Sequence, residues 1–289
     1  MKIANWESEY TLLDASCGQR LEKWKDIILI RPDPQIIWKT KKDKALWAKA
    51  DAIYNRSSKG GGSWNIKTKV PNSWQISYKE LKFNIKLMGF KHTGIFPEQA
   101  VNWDALQAII KNSKKQLKVL NLFAYTGAMT LASASAGAKV CHVDSSKGMV
   151  LWGKENAKAS NLSDKPIRWI VDDCFKFVKK EQRRNNKYDI IIMDPPSYGR
   201  GPNGEIWQLE NNIYDFILDI KEILEENAMV VVNSYTAGVS PAAMEYILSS
   251  VLKKQKGGRV YSYETCLKIK SSGLNLPSGY TAVWGNLDN

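Results

Sequence analysis

The pattern of apolar and polar residues changes near residue 100. Beyond that point, short apolar runs alternate with longer segments of helical character. Apolar runs of this length, set between helices, are typical of strands in a parallel sheet. The pattern predicts strands at residues 118–123, 139–144, 167–171, 188–193, 228–234, 260–267 and 280–284, and helices at residues 128–136, 146–161, 174–182, 211–226 and 241–254.

The order of these elements predicts the topology of one α/β domain at residues 86–289. Strands separated by helices of this length form parallel βαβ units with right-handed crossovers. Only a short loop at residues 270–279 separates the last two strands, so we expect them to form an antiparallel hairpin. The sequence therefore predicts a Rossmann-like sheet of seven strands, one of which runs against the others.

Residues 1–85 have a different pattern and are predicted to form a small β-rich domain. WQISY (residues 74–78) and LKFNIKL (residues 81–87) alternate apolar and polar residues, which predicts a hairpin turning near Lys79. Prolines within residues 28–38 limit any strand there to an edge or a bend. GGGS at residues 60–63 predicts an exposed, flexible loop.

The charge is concentrated in the first part of the chain. The formal net charge is +13, and residues 1–90 hold 17 basic and 9 acidic side chains, a net +8, together with six of the eleven tryptophans. Basic charge with interleaved aromatic rings suits contact with the phosphates and bases of RNA. The alternative is a β domain with tryptophans in its core and lysines on its surface.

Composition limits the location of the protein and the kinds of site. No run of 18 apolar residues and no apolar segment near the start is present, so neither a membrane span nor a secretion signal is expected. The cysteines, Cys17, Cys141, Cys174 and Cys266, have no metal-ligand spacing. They are interpreted as free thiols in a reducing cytoplasm, and no metal site is predicted.

The strand and turn VLNLFAYTG, from Val119 to Gly127, indicates the type of cofactor. A dinucleotide-binding turn would read G-x-G-x-x-G, because the pyrophosphate approaches the backbone closely. Only Gly127 is present, which suits S-adenosylmethionine, since this cofactor carries no phosphate. An ordinary buried strand and turn is the alternative.

Acidic residues follow the next two predicted strands. Asp144, followed by Ser145, is expected to bind the ribose hydroxyls of an adenosine, although a helix N-cap at Asp144 or Ser145 would also explain it. Of the next pair, Asp173 is assigned to the adenine amine, because Cys174 then begins the helix. Asp172 is assigned to the helix macrodipole.

The most specific functional motif follows the fourth predicted strand of the α/β sheet and reads Asp194-Pro195-Pro196-Ser197-Tyr198. Two prolines fix φ, so their carbonyls and the carboxylate of Asp194 take defined positions. Such a turn can orient an amine while Tyr198 stacks on the ring that carries it, and Arg200 could hold a phosphate or the carboxylate of the cofactor. A rigid turn with a capping aspartate is the alternative.

These motifs, with TGIFPEQ before the sheet, resemble a bacterial family of class I methyltransferases. Its better-known members modify large-subunit ribosomal RNA at cytosine carbon 5 or guanine nitrogen 7. The resemblance implies the seven-stranded class I sheet, S-adenosylmethionine as cofactor and RNA as substrate. It implies cofactor contacts at Gly94, Phe96, Gln99, Phe123, Ala124, Tyr125, Thr126, Gly127, Asp144, Ser145, Asp173, Cys174 and Asp194.

The chain departs from this family at two places. Cytosine-methylating members carry Ser-Cys-Ser after the fifth strand, where this chain has Ser234-Tyr235-Thr236. Carbon-5 methylation needs a cysteine nucleophile, so direct transfer to a base nitrogen is predicted, with Asp194, Pro195, Pro196 and Tyr198 as catalytic residues. Residues 1–80 also differ from the family's usual RNA-binding domain. A methyltransferase acting on a small molecule or a protein, and a non-catalytic RNA-binding relative, remain alternatives.

Overall fold

The computed structural model describes residues 1–57, 61–200, 206–236 and 238–287. The strands are β1 (Lys2–Ala4), β2 (Tyr10–Ser16), β3 (Gln19–Trp24), β4 (Ile27–Pro32), β5 (Ala52–Arg56), β6 (Gly62–Ile66), β7 (Trp74–Tyr78), β8 (Leu81–Ile85), β9 (Lys118–Leu122), β10 (Lys139–Asp144), β11 (Ile167–Val171), β12 (Tyr188–Met193), β13 (Tyr198–Arg200), β14 (Ile206–Gln208), β15 (Leu224–Ser234), β16 (Arg259–Lys268) and β17 (Asn275–Gly285). The α-helices are α1 (Lys44–Trp47), α2 (Ala100–Asn112), α3 (Ala128–Ser135), α4 (Lys147–Ala159), α5 (Cys174–Arg183), α6 (Leu209–Lys221), α7 (Pro241–Leu248) and α8 (Lys254–Lys256).

Two compact units divide the chain. The first consists of Met1–Val101 with Thr265–Ser278, and the second of Asn102–Glu264 with Gly279–Asn289. Strands β16 and β17 therefore contribute residues to both units. The division at residue 85 that we expect from the sequence stays a prediction.

The first unit contains a sheet in the order β2-β3-β4-β5-β6. Leu21, Ile30 and Trp47 are buried together in its core. Strand β4 lies between β3 and β5, so of the two predicted alternatives, an edge or a bend, the edge was wrong. The strand ends at Pro32, where a residue without an N–H can be accommodated.

Two further predictions for this unit have different outcomes. The hairpin of β7 and β8 is confirmed, and Lys79 at its turn has a left-handed φ of 51°. The predicted loop at residues 60–63 was wrong in part, because Gly62 and Ser63 begin β6, while Gly60 lies outside the described residues. A Cβ at Gly62 would lie 2.2 Å from the Asn55 carbonyl oxygen, so close strand pairing requires glycine there.

The second unit contains the predicted α/β sheet. Its strands follow the order β16-β17-β15-β12-β9-β10-β11 within the described residues. Strands β9 to β12 and β15 pair in parallel, and β17 runs antiparallel to β15. The predicted fold class is confirmed. Residues Thr265–Leu267 of β16, which belong to the first unit, also pair in parallel with β1, a strand that sequence reasoning missed.

Burial explains why these strands could be recognised. All six residues of β12 are buried, and helix α6 packs Ile213, Phe216 and Ile220 into the same core. The predicted helix at residues 211–226 ends earlier, at Lys221, because Leu224 pairs with Tyr188 and starts β15. No helix in the described ranges is long and apolar enough to cross a membrane.

Candidate active site at the carboxyl ends of the strands

Three loops leave the sheet of the second unit at the same level. Leu122 at the end of β9 lies opposite both Val143 of β10 and Met193 of β12. The next residues, Phe123, Asp144 and Asp194, therefore begin or border neighbouring loops. Because β9 lies between β10 and β12, the strand order reverses here, and ligands of open α/β sheets bind at such a crevice.

The turn after β9 is strained. Phe123, Tyr125 and Gly127 have φ values of 53°, 50° and 84°, all left-handed. A left-handed conformation costs a non-glycine residue about 1–3 kcal/mol and persists only where neighbouring structure imposes it. Here the Ala124 N–H donates to the Val143 carbonyl at 3.1 Å, and the Tyr125 N–H donates to Asp144 Oδ2 at 2.8 Å.

Asp144 is held by two backbone donors. Oδ2 accepts from Tyr125 and Oδ1 accepts from the Ser146 N–H at 2.8 Å. Burial raises the pKa of Asp144, and these two bonds partly offset the rise. Ser146 caps helix α4, so the alternative of a cap at Asp144 or Ser145 was wrong. Each carboxylate oxygen has a further lone pair with which to accept a bond from a ribose hydroxyl.

The two aspartates after β11 have different contacts. Asp173 caps helix α5, since its Oδ1 accepts from the Lys176 N–H at 3.0 Å. Asp172 accepts from Lys180 Nζ at 2.6 Å and from the Asp173 N–H. Asp173 is therefore the cap of helix α5, and the assignment of Asp172 to the helix macrodipole stays a prediction. The assignment of Asp173 to the adenine amine stays a prediction.

Cys174 links the loops instead of offering a nucleophile. Its Sγ accepts a bond from the Phe123 N–H at 3.2 Å, and its side chain is buried. Burial raises the pKa of this thiol well above its usual range. A neutral, enclosed thiol is a structural contact for the strained turn.

The Pro-Pro turn after β12 continues into the antiparallel hairpin of β13 and β14. Trp207 on β14 donates from Nε1 to the Pro196 carbonyl at 2.5 Å, and the Leu209 N–H donates to the Ser197 carbonyl. A substrate amine at the Pro196 carbonyl would therefore share that oxygen with Trp207. Tyr198 is 49% exposed. The side chain of Arg200 lies outside the described part of the chain.

Aromatic side chains border a cavity of about 310 Å³ beside this turn. Phe175 lies 4.4 Å from Phe216 and 4.7 Å from Trp207, measured between ring centroids. Asp173 and Lys176 also line the cavity. Sequence reasoning missed Trp207. The hairpin that places it beside Pro196 consists of two strands of three residues, which are too short to show an alternation of apolar and polar residues.

Strand β15, the fifth predicted strand of the α/β sheet, ends in a network of polar side chains. Asn233 is buried and its Oδ1 accepts from Asn102 Nδ2 at 3.1 Å and from Thr281 Oγ1 at 2.8 Å. Ser234, Tyr235 and Thr236 follow, so no thiol is present at the position where cytosine-methylating members carry one.

Three further predicted cofactor contacts, Gly94, Phe96 and Gln99, belong to the first unit. Gly94 has a φ of 127°, and Phe96 precedes a 3₁₀ turn over Pro97–Gln99. The Pro97 carbonyl accepts from Trp6 Nε1 at 2.9 Å, which fixes this segment within its unit.

Both histidines are enclosed. Burial lowers the pKa of His92 to about 3, with Arg31 nearby as a further cause, and burial lowers the pKa of His142 to about 3. His142 Nδ1 lies 3.0 Å from Thr130 Oγ1. Both side chains are therefore neutral near pH 7.

Comparison with known proteins settles the family. Residues 54–245 match the family described as S-adenosylmethionine-dependent methyltransferase. The chain belongs to this family. The expected cofactor and enzyme class are thereby confirmed.

Individual relatives of the family differ in how much of the chain they match. A solved S-adenosylmethionine-dependent methyltransferase from Agrobacterium tumefaciens is 35% identical, covers 98% of this chain and 92% of its own, and has a TM-score of 0.92. A structure from Streptococcus mutans, 20% identical over 96% of this chain and 75% of its own, shares the fold at a TM-score of 0.75. Ribosomal RNA large subunit methyltransferase K/L from Shewanella oneidensis is 34% identical over 125 residues, which is 43% of this chain and 17% of that protein.

The residues at the ends of β9 and β10 fit the cofactor of this family. The turn after β9 has a single glycine at its end, and Asp144 beside it keeps lone pairs for hydroxyl donors. Neither feature would serve a pyrophosphate, which needs N–H donors and close approach. The residues present therefore suit an adenosine that carries an amino-acid tail.

Proposed function

We propose that this methyltransferase acts on a base nitrogen in RNA, by direct transfer without a covalent enzyme–base intermediate. The supporting observation is the turn Asp194-Pro195-Pro196, which leaves the sheet where the strand order reverses and contains no thiol. Such a turn offers oxygen acceptors for an amine and no nucleophile for carbon 6 of a pyrimidine.

The cysteines of the chain support a noncovalent route. Burial raises the pKa of Cys141 to about 11, and burial likewise raises that of Cys174. Both are therefore protonated near pH 7, whereas attack requires a thiolate. Cys17 and Cys266 belong to the first unit and lie outside the loops at the end of the sheet.

In this proposal the chain binds the cofactor through acids and backbone. Asp144 accepts from the ribose hydroxyls, with Ser145 beside it, and Asp173 accepts from the adenine amine next to Cys174. Residues 123–127 bind through the backbone of the strained turn, and the assignment of Gly94, Phe96 and Gln99 to the cofactor stays a prediction from the family resemblance. S-adenosylmethionine supplies a methyl group activated by a positively charged sulfur.

The acceptor base is positioned by the Pro-Pro turn. Asp194 orients the target nitrogen and accepts its proton, while the carbonyls of Pro195 and Pro196 fix the approach of the amine. Tyr198, half exposed on β13, stacks on the splayed base, and Arg200 holds a neighbouring phosphate.

Two observations support RNA over other acceptors. The Shewanella oneidensis relative is named for ribosomal RNA, and residues 1–90 of this chain carry a net +8. We propose that residues 1–85 form the domain that docks the RNA, followed by the methyltransferase domain at residues 86–289.

Labelling in vitro tests this function. The purified protein is incubated with methyl-tritiated S-adenosylmethionine and large-subunit RNA from a strain that lacks the gene, and the RNA is digested to nucleosides. We expect a nitrogen-methylated nucleoside, formed by the wild type and by the surface variant Asp164→Asn but reduced about 100-fold or more in Asp194→Asn. Label only in a metabolite extract or in protein, or a carbon-5 methylated pyrimidine, would overturn the proposal.

A further inference from the structure

A groove in the first unit has the chemistry of a binding site for single-stranded RNA. Its volume is about 870 Å³. We infer that an unpaired RNA segment of the substrate binds in it, an inference that rests on the proposed function because it takes RNA as the substrate. We call it the lysine groove; it is lined by Leu13, Asp14, Ala15, Trp38, Thr40, Lys41, Asp43, Leu46, Ile269, Lys270, Ser271, Ser272, Leu274 and Asn275.

Hydrogen bonds to β2 hold both walls of the lysine groove. On one side the Lys270 N–H donates to the Leu12 carbonyl at 2.9 Å, and the Ser271 N–H donates to the Leu13 carbonyl at 3.0 Å. On the other side Trp38 Nε1 donates to the Ala15 carbonyl at 2.7 Å. Since both walls are attached to one strand, the groove exists before a ligand binds.

The acids of the lysine groove are occupied by donors of the fold. Asp14 is 8% exposed and accepts from Trp47 Nε1 at 2.6 Å and from Ser271 Oγ at 2.7 Å. Asp43 caps helix α1 by accepting from the Ala45 and Leu46 N–H groups. These donors use part of the hydrogen-bonding capacity of the two carboxylates, whose two charges are outnumbered by the lysines of the groove and its neighbourhood.

The lysines of the groove, by contrast, have no acidic partner in the part of the chain that the structure describes. Lys41 and Lys270 line the groove, and Lys39, Lys44 and Lys49 are exposed in the same segment. None of these five lysines forms an ion pair within the described ranges. Unpaired ammonium groups around a preformed groove attract a phosphate backbone by counterion release.

The apolar surface of the groove favours RNA over an acidic peptide. Leu274 is 69% exposed and Trp38 is half-buried, so both offer flat or apolar area to a ring. An acidic peptide offers the charge without the rings. In an A-form duplex the bases are stacked inside, so a single strand is the form whose bases can reach Trp38 and Leu274.

A matched pair of double variants tests the inference. Lys41→Glu/Lys270→Glu removes the groove lysines, and Lys67→Glu/Lys69→Glu changes the same charge at exposed positions of the same unit outside the groove. Binding of a fluorescein-labelled, mixed-sequence RNA of 12 nucleotides is measured by anisotropy across a salt series.

We expect the groove variant to bind the oligonucleotide roughly tenfold more weakly, with a salt slope smaller by about 1.4, because two phosphate contacts are lost. The control variant stays within about twofold of the wild type. Leu274→Ala, at an exposed position that does not support the fold, weakens binding about threefold through the lost base contact.

Three results would overturn the inference. These are equal losses in both double variants, displacement of the RNA by polyglutamate at equal charge concentration, and tighter binding of a duplex of the same sequence. The labelling experiment separates this failure from failure of the proposed function. If RNA is methylated but the groove variant binds it normally, only the groove is wrong; if the oligonucleotide binding depends on the groove but no RNA is methylated, only the function is wrong.

Discussion

The two units hold their carboxylates in contrasting ways. In the first unit Glu22 is fully buried and accepts from Arg31 Nε at 2.5 Å, from Arg31 Nη2 at 2.7 Å and from Tyr10 Oη at 2.7 Å. In the second unit Asp144 is half-buried and accepts from two backbone N–H groups.

The pKa directions follow from these partners. Burial alone would raise the pKa of Glu22, but Arg31 and Arg20 overcome that effect and hold it at about 2. For Asp144, burial prevails over the two backbone bonds and the pKa is raised. A carboxylate paired with arginines stabilises the fold. A carboxylate held at a strand end by neutral donors has a destabilised charged form, which hydrogen bonds from a ligand would stabilise.

The largest expected effect is a loss of stability when the buried ion pair of the first unit is removed. Glu22→Gln removes the negative charge beside Arg31 and Arg20, so both guanidinium groups lose their main buried counter-charge. We expect the free energy of unfolding to fall by about 3–5 kcal/mol in urea titration. Glu7→Gln, at an exposed position, serves as control. A loss below about 1 kcal/mol would show that the ion pair does not support the fold.

The matching change in the second unit is expected to lower cofactor affinity as well as stability. Asp144→Asn keeps the shape but loses the charge that hydroxyl donors favour, so affinity for S-adenosylhomocysteine, measured by calorimetry, falls about 10- to 100-fold. The free energy of unfolding falls by about 1–3 kcal/mol, less than for Glu22→Gln, because the asparagine oxygen can accept from only one of the two backbone N–H groups. The lost charge itself contributes no stability, because a carboxylate with a raised pKa does not stabilise the folded state. Unchanged affinity would remove Asp144 from the cofactor site.

The pH dependence sharpens the contrast further. The folded pKa of Glu22, about 2, lies below the value of 4.5 for the free group. The stability that it contributes is therefore complete above about pH 4.5 and is lost as the pH falls toward 2. We expect the difference in unfolding free energy between the wild type and Glu22→Gln to shrink over this window. A difference in unfolding free energy that does not change with pH would contradict the lowered pKa of Glu22.

A smaller effect is expected at the Pro-Pro turn. Trp207→Phe keeps an aromatic ring but loses the bond to the Pro196 carbonyl, which contributes about 0.5–1.5 kcal/mol. Because the turn is then less fixed, we expect kcat with RNA to fall several-fold while affinity for the cofactor is retained. A change confined to cofactor affinity would mean that Trp207 acts on the adenosine side.

The smallest effect is expected at Cys174. Cys174→Ala removes the bond from the Phe123 N–H but leaves the proposed chemistry intact, so methyl transfer stays within about threefold of the wild type. Loss of all transfer by a folded variant that still binds cofactor would identify the thiol as a nucleophile.

The second unit could be predicted well because its signals are local. Strand β12 is buried throughout and is a continuous apolar run, and the turns after β9 and β12 contain their own glycine and prolines. The boundary between α6 and β15 was missed because the pairing of Leu224 with Tyr188 is a tertiary contact.

The first unit could be predicted less well because its stabilising contacts join distant residues. Glu22 meets Arg31 and Tyr10 across neighbouring strands, and nothing in the local sequence indicates a buried ion pair. Trp207 was missed for a similar reason, since its bond to Pro196 depends on a hairpin of two short strands. Which of Asp172 and Asp173 caps the helix depends on whether the helix begins one residue earlier or later, and residue types alone do not determine that position.

The inclusion of Thr265–Ser278 in the first unit limits how this protein can be recombined. A fragment cut after Val101 would lack the segment that pairs with β1 and that supplies Lys270 to the lysine groove. Grafting this unit onto another enzyme would require junctions at residues 101, 264 and 278, so a single gene fusion cannot transfer it whole.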